Sequence, residues 1–127
     1  MRLVLVRHAE AAPGSPDELR TLTDDGRVQA QALGERLRRE GIRPGAVLSS
    51  PLVRALETAE ALGLGEPEAD ERLAPGMTAA VVQAVVAERG GTVVVVGHQP
   101  DCGRIAAALT DGVEPPFPPA GVVVIDL

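Results

Sequence analysis

Two kinds of apolar run succeed one another along the chain. Leu3-Val4-Leu5-Val6, Ala46-Val47-Leu48 and Val93-Val94-Val95-Val96 are short, unbroken and rich in branched residues. Such runs predict strands buried on both faces, as in parallel sheets. Elsewhere the apolar residues recur at helical spacing. Thr23 reads as an N-cap with Asp24 and Asp25 in the first turn, and Val28, Ala32, Leu33 and Leu37 supply the apolar face of a helix ending at Gly41. Ser50-Pro51 reads as a second helix start, serine capping and proline in first position, continuing through Val53, Leu56, Ala59 and Leu62 to Gly63-Leu64-Gly65. A third helix is expected over Thr78 to Arg89, with Val81, Val82, Val85 and Val86 as its apolar positions, and a fourth over Pro100 to Leu109.

The stretches between these elements are loop-like. Ala11 to Leu22 contains Pro13, Gly14 and Pro16 and is expected to lie over the end of the first strand. Glu66 to Gly76 reads as a connector with a brief edge strand near Glu68 to Asp70. Glu114 to Pro119 is too rich in proline for a central strand, which leaves Gly121 to Leu127 as a last strand at a sheet edge. Strands alternating with helices predict an α/β fold, a three-layer sandwich around a mostly parallel sheet. At 127 residues with no internal repeat, one domain spanning residues 1–127 is expected.

Composition narrows the function. Hydrophobic residues form 45% of the chain and Phe117 is its one aromatic, so the core must be aliphatic. The lack of Trp and Tyr removes stacking platforms for bases, and a net charge of −6 disfavours polyanion binding, so no nucleic-acid partner is expected. Lysine is absent, and the 12 basic residues are all arginine, the side chain suited to bidentate phosphate contacts. The single Cys102 excludes an intrachain disulfide; near a helix start it reads either as a somewhat activated thiol or as a structural bystander. Gly63-Leu64-Gly65 neither follows a strand nor opens a helix and is no nucleotide fingerprint. No run approaches a membrane span, and the expected setting is cytoplasmic, with the chain acting as a monomer.

Three strands end alike. The first ends in Arg7-His8, the second in Ser49-Ser50-Pro51 with Arg54 a turn further on, and the next long one in Gly97-His98. In a parallel sheet these ends share one edge, the edge where open α/β sheets bind ligands. Arg7 and Arg54 offer forked donors, and helix openings near Ser50 and Pro100 add backbone amides. The convergence points to a phosphate or other oxyanion site. Taken singly, each residue also reads as a strand reaching solvent, and Ser50 as a plain helix cap. One histidine per strand end without nearby cysteine is poor spacing for zinc, so neither metal nor cofactor is expected.

Leu5-Val6-Arg7-His8-Ala9-Glu10 resembles the motif of the histidine phosphatase superfamily, the phosphoglycerate mutase-like fold, with Ala9 where glycine is usual. Leu22-Thr23-Asp24-Asp25-Gly26, Ser49-Ser50-Pro51-Leu52-Val53-Arg54-Ala55-Leu56-Glu57-Thr58-Ala59 and Gly97-His98-Gln99-Pro100 resemble its further motifs, in family order. Between Glu66 and Gly91 there is no room for a cap insertion, and with Arg20-Thr21-Leu22-Thr23 the chain is most similar to the SixA-type phosphohistidine phosphatases of that superfamily. The resemblance implies His8 as a nucleophile that becomes phosphorylated, and Arg7, Arg54 and His98 as the groups holding the phosphoryl oxygens. Arg20 is a further candidate for substrate contact, and Glu71 and Glu10 are candidates for the general acid. A histidine attacks only when neutral, and the neighbouring arginines are expected to disfavour its protonated form. The implied function is hydrolysis of phosphohistidine on a signalling phosphotransfer protein. A small-molecule phosphomonoesterase acting on a sugar or nucleotide phosphate is the alternative within enzymes, and a non-catalytic phosphate- or phosphoprotein-binding module the alternative outside them.

Overall fold

Side chains alternate faces along a strand, and the central strands here have an apolar core to fill on each side. In the computed structural model, which describes residues 1–127, β1 (Arg2–Arg7), β2 (Ala46–Ser49), β3 (Pro67–Ala69), β4 (Thr92–Gly97) and β5 (Val122–Asp126) form one sheet in the order β3-β2-β4-β1-β5. Only β5 runs antiparallel, pairing with β1 at the edge. Leu3, Leu5, Leu48, Val93 and Val95 point to one face, packed by α3 (Ala79–Arg89) and α4 (Asp101–Leu109) through Val82, Val85, Val86, Ile105 and Ala106. Val4, Val6, Val47, Val94 and Val96 point to the other, packed by α1 (Asp24–Arg39) and α2 (Val53–Leu62) through Leu33, Leu37, Ala55, Ala59 and Leu62. The result is a three-layer α/β sandwich with a mostly parallel sheet. Between β3 and α3 the chain makes a single 3-10 turn, Glu71–Leu73, and no capping element. No helix is long and apolar enough to cross a membrane.

Two elements differ from the sequence reading. The inward face of α1 is Gly26, Ala30, Leu33, Gly34 and Leu37; Val28 is 62% exposed and Ala32 is also in solvent. The reason is close approach. A Cβ on Gly34 would land on the carbonyl oxygen of Leu62, and one on Gly26 on that of Glu10, so the packing face runs through residues with no side chain. The second difference is that α2 begins at Val53 with Leu52 as its N-cap, two residues after the expected start. Ser50 donates its amide to the Val96 carbonyl at 3.0 Å and so continues the sheet, while its hydroxyl accepts from the Leu52 amide at 3.3 Å in a local turn.

The α1–α2 crossing yields a direct check. Gly34→Ala forces a methyl into backbone and is expected to destabilise the fold by about 1–3 kcal/mol in denaturant unfolding. A loss below about 0.5 kcal/mol, the range of neutral surface changes, contradicts this packing.

Candidate active site

Register brings the sequence-distant residues together. Arg7 pairs with Gly97 across the β1–β4 ladder, and the His8 amide donates to the Gly97 carbonyl at 2.9 Å, so His8 and His98 emerge side by side from adjacent strand ends. Their ring centroids are 6.3 Å apart. The connection after β1 passes to α1 on one face and that after β4 to α4 on the other, so the strand ends part there into a crevice, a topological switch point. Arg54 projects from the first turn of α2 and is 7% exposed.

The His8 ring is held in one tautomer. Its Nδ1 lies 2.7 Å from the Ala9 carbonyl oxygen, which can only accept, so Nδ1 carries the hydrogen. Nε2 then bears the lone pair; it has no partner in the protein and is not sealed from solvent. Burial is the largest influence on this ring, with Arg54, Arg7 and His98 acting in the same direction and the Ala9 carbonyl opposing them. Together they push its pKa down from 6.5 to about 4. The arginines therefore do contribute, but less than desolvation.

Around His8 the polar groups are tightly placed. The Ala9 amide donates to Thr58 Oγ1 at 3.0 Å, and that hydroxyl donates to the Arg54 carbonyl at 2.8 Å, tying the segment after β1 to α2. Arg7 Nη1 donates to the Phe117 carbonyl at 2.9 Å, while its Nε is buried without a partner. His98 Nε2 faces the Leu73 carbonyl at 3.4 Å and Nδ1 is buried and unpartnered; burial pulls this histidine below its ordinary pKa as well. Arg54 directs Nη1 to the main-chain oxygen of Asp17 at 2.9 Å and Nη2 to its carboxylate at 3.1 Å.

The model of the histidine phosphatase superfamily (branch 1) matches residues 3–75, more than half of the chain. The chain belongs to that superfamily. It is 32% identical over 127 residues to the phosphohistidine phosphatase SixA of Escherichia coli strain K12, covering 92% of this chain and 79% of that one. A solved structure of the protein histidine phosphatase SixA with tungstate superposes with a TM-score of 0.89 at 27% identity, covering all of this chain and 88% of that chain. A mycobacterial glucosyl-3-phosphoglycerate phosphatase shares the fold with a TM-score of 0.69 at 24% identity, covering 97% and 88%.

Other candidates within this histidine phosphatase fold are placed differently. Arg20 meets Arg54 only through a shared partner: its Nε donates to the Ala12 carbonyl at 2.8 Å and its Nη1 at 3.0 Å to the Asp17 carboxylate that also pairs with Arg54. Glu10 accepts from the Thr23 hydroxyl at 2.8 Å, and Glu71 sits exposed in its 3-10 turn with no side-chain hydrogen bond. The charged groups that bear most on His8 are all basic. Cys102 is fully buried, and desolvation pushes its thiol up to about 12, which overturns the activated-thiol reading despite its place near a helix start. No group of three His, Cys, Asp or Glu side chains is arranged to hold a metal ion. Sequence reasoning assigned no role to Thr58 or Asp17. Thr58 follows Arg54 by one helical turn, a spacing that hinted at the contact; nothing in the sequence distinguished Asp17 from Glu18.

The His8 environment fixes an observable. Its ring resonances, followed by NMR, should titrate at about 4 and not near 6.5. The unfolded ring takes up a proton near 6.5 that the folded ring refuses until about 4, so this group costs stability as pH falls through that window. A midpoint at 6.5 or above contradicts the burial-driven account.

Proposed function

We propose that this histidine phosphatase is a phosphohydrolase that transfers a phosphoryl group to His8 Nε2 and then to water, with phosphohistidine on a phosphotransfer protein as its preferred substrate. The observation that carries the reading is the neutral His8 with Nδ1 tied to Ala9 and Nε2 left free. A nitrogen lone pair at neutral pH needs no base to expose it, and nothing in the donor set calls for a metal. Arg7 and Arg54 balance the charge on the non-bridging oxygens. Burial holds His98 below its ordinary pKa and so favours the neutral ring, and a bound dianion draws a proton onto it, making it a further donor.

In the first half-reaction, the Nε2–phosphorus bond forms as the substrate's phosphorus–nitrogen bond breaks. The leaving imidazole, already protonated on its other nitrogen, departs neutral. The same logic serves the second half-reaction, because the Ala9 carbonyl keeps hydrogen on Nδ1 and His8 itself leaves neutral when water attacks. Neither step then needs a strong general acid, which fits a Glu10 engaged by Thr23 and a Glu71 exposed on its turn. An ester oxygen is a poorer leaving group without such an acid. The absence of an element over the strand ends between β3 and α3 favours a protein-borne phosphate over a small one that must be enclosed. The SixA name carried by a relative at 32% identity points the same way.

The test compares a phosphorylated phosphotransfer protein with a panel of sugar, nucleotide and aryl phosphates. Turnover of the phosphoprotein should exceed that of every ester in kcat/KM by at least about tenfold, and His8→Ala should lower it about a thousandfold or more. A better small ester overturns the substrate assignment, turnover retained by His8→Ala overturns the mechanism, and binding without turnover on every substrate leaves a binding module.

A further inference from the structure

Asp17 lies on the loop between β1 and α1, in the 3-10 turn Asp17–Leu19, where the sequence marks it as an ordinary surface carboxylate. Its contacts are not ordinary. The main-chain oxygen accepts from Arg54 Nη1 at 2.9 Å, carboxylate Oδ2 from Arg54 Nη2 at 3.1 Å, and Oδ1 from Arg20 Nη1 at 3.0 Å. Arg20 is braced from behind by the Ala12 carbonyl on its Nε. One residue thus bridges two arginines, one of them almost wholly buried.

We infer that Asp17 is a positioning residue of the phosphate site, clamping the tip of the Arg54 guanidinium and holding Arg20 beside it so that their remaining N–H groups face one oxyanion. The inference rests on the reading of Arg54 as a phosphate ligand. A guanidinium has five N–H donors in a rigid fork. Asp17 engages Arg54 only through its two terminal nitrogens, so Nε–H and one hydrogen on each terminal nitrogen stay available. One of the two clamping acceptors is a neutral carbonyl, which cannot stand in for an anion.

A carboxylate beside an anion site also repels the anion, and the two effects have opposite signs. Exposure decides between them. The Asp17 side chain is 64% exposed, so water and salt screen its repulsion, whereas the Arg54 side chain is 9% exposed and loses its only charged partner if Asp17 is neutralised. Orientation therefore outweighs repulsion.

Inorganic phosphate titrated calorimetrically into the wild type, Asp17→Asn, Arg54→Lys and the double variant tests this. Asp17→Asn should weaken phosphate binding about tenfold; because it also leaves the buried Arg54 without its charged partner, the thermal unfolding midpoint should fall by a few degrees while the protein stays folded at the titration temperature. In the Arg54→Lys background, where no fork is left to clamp, the same change should cost less than about threefold. Unchanged or tighter binding in Asp17→Asn overturns the inference and makes the carboxylate a bystander or a competitor. An equal loss in both backgrounds overturns it too, since Asp17 then acts on the loop alone. A wild type that binds no phosphate removes the phosphate-site reading itself and this inference with it.

Discussion

The hydrogen bond from His8 Nδ1 to the Ala9 carbonyl is the constraint on which the site depends. It makes one ring nitrogen a donor, the other a free lone pair, and it works only if the backbone at residue 9 does not move. That backbone is fixed from several sides. β1 has no exposure from Leu3 to Val6, Ala9 packs fully buried against Leu22 and Ala30, and its amide is pinned by Thr58. The alanine at this position is accommodated, its methyl filling part of that small cluster. The interior packing of a sandwich core thus reaches as far as the choice of tautomer at His8.

A cluster of basic groups gathers at the strand ends of a protein whose net charge is −6. Away from the strand ends, several arginines are matched locally: Arg2 with Asp126, Arg27 with Glu57, Arg72 with Asp70 and Glu88, Arg89 with Glu68. Such exposed pairs contribute about 0–1 kcal/mol each to stability. Arg7 is the contrast, with a carbonyl as its partner and a buried Nε unsatisfied. An unpaired buried donor is costly in an empty site and becomes an asset when an oxyanion arrives. His98 Nδ1 is also buried and unpartnered, but with Nε2 facing the Leu73 carbonyl it carries the ring's lone pair and becomes a donor only when the ring takes up a proton.

Much of this was legible in the sequence because parallel strands advertise themselves. Unbroken branched runs located β1, β2 and β4, and a basic residue after each run located their shared edge. Register then did what composition could not, setting His8 beside His98 through the Arg7–Gly97 pairing. The inward face of α1 was misread because hydrophobic spacing ignores glycine, and Gly26 and Gly34 are where its neighbours come closest. The start of α2 was misplaced because a serine before a proline looks the same whether it caps a helix or, like Ser50, extends a strand by one amide. Asp17 was invisible because its partners, one three residues away and one in α2, meet only once the loop is folded.

The most direct measurement is to quench the enzyme during turnover, digest it and determine which nitrogen of His8 carries phosphorus, by phosphorus NMR and mass spectrometry of the peptide. Phosphate on Nε2 of His8 is the result this account predicts. Phosphate on Nδ1, or on any residue other than His8, contradicts it, since the Ala9 carbonyl would then not be what directs the lone pair.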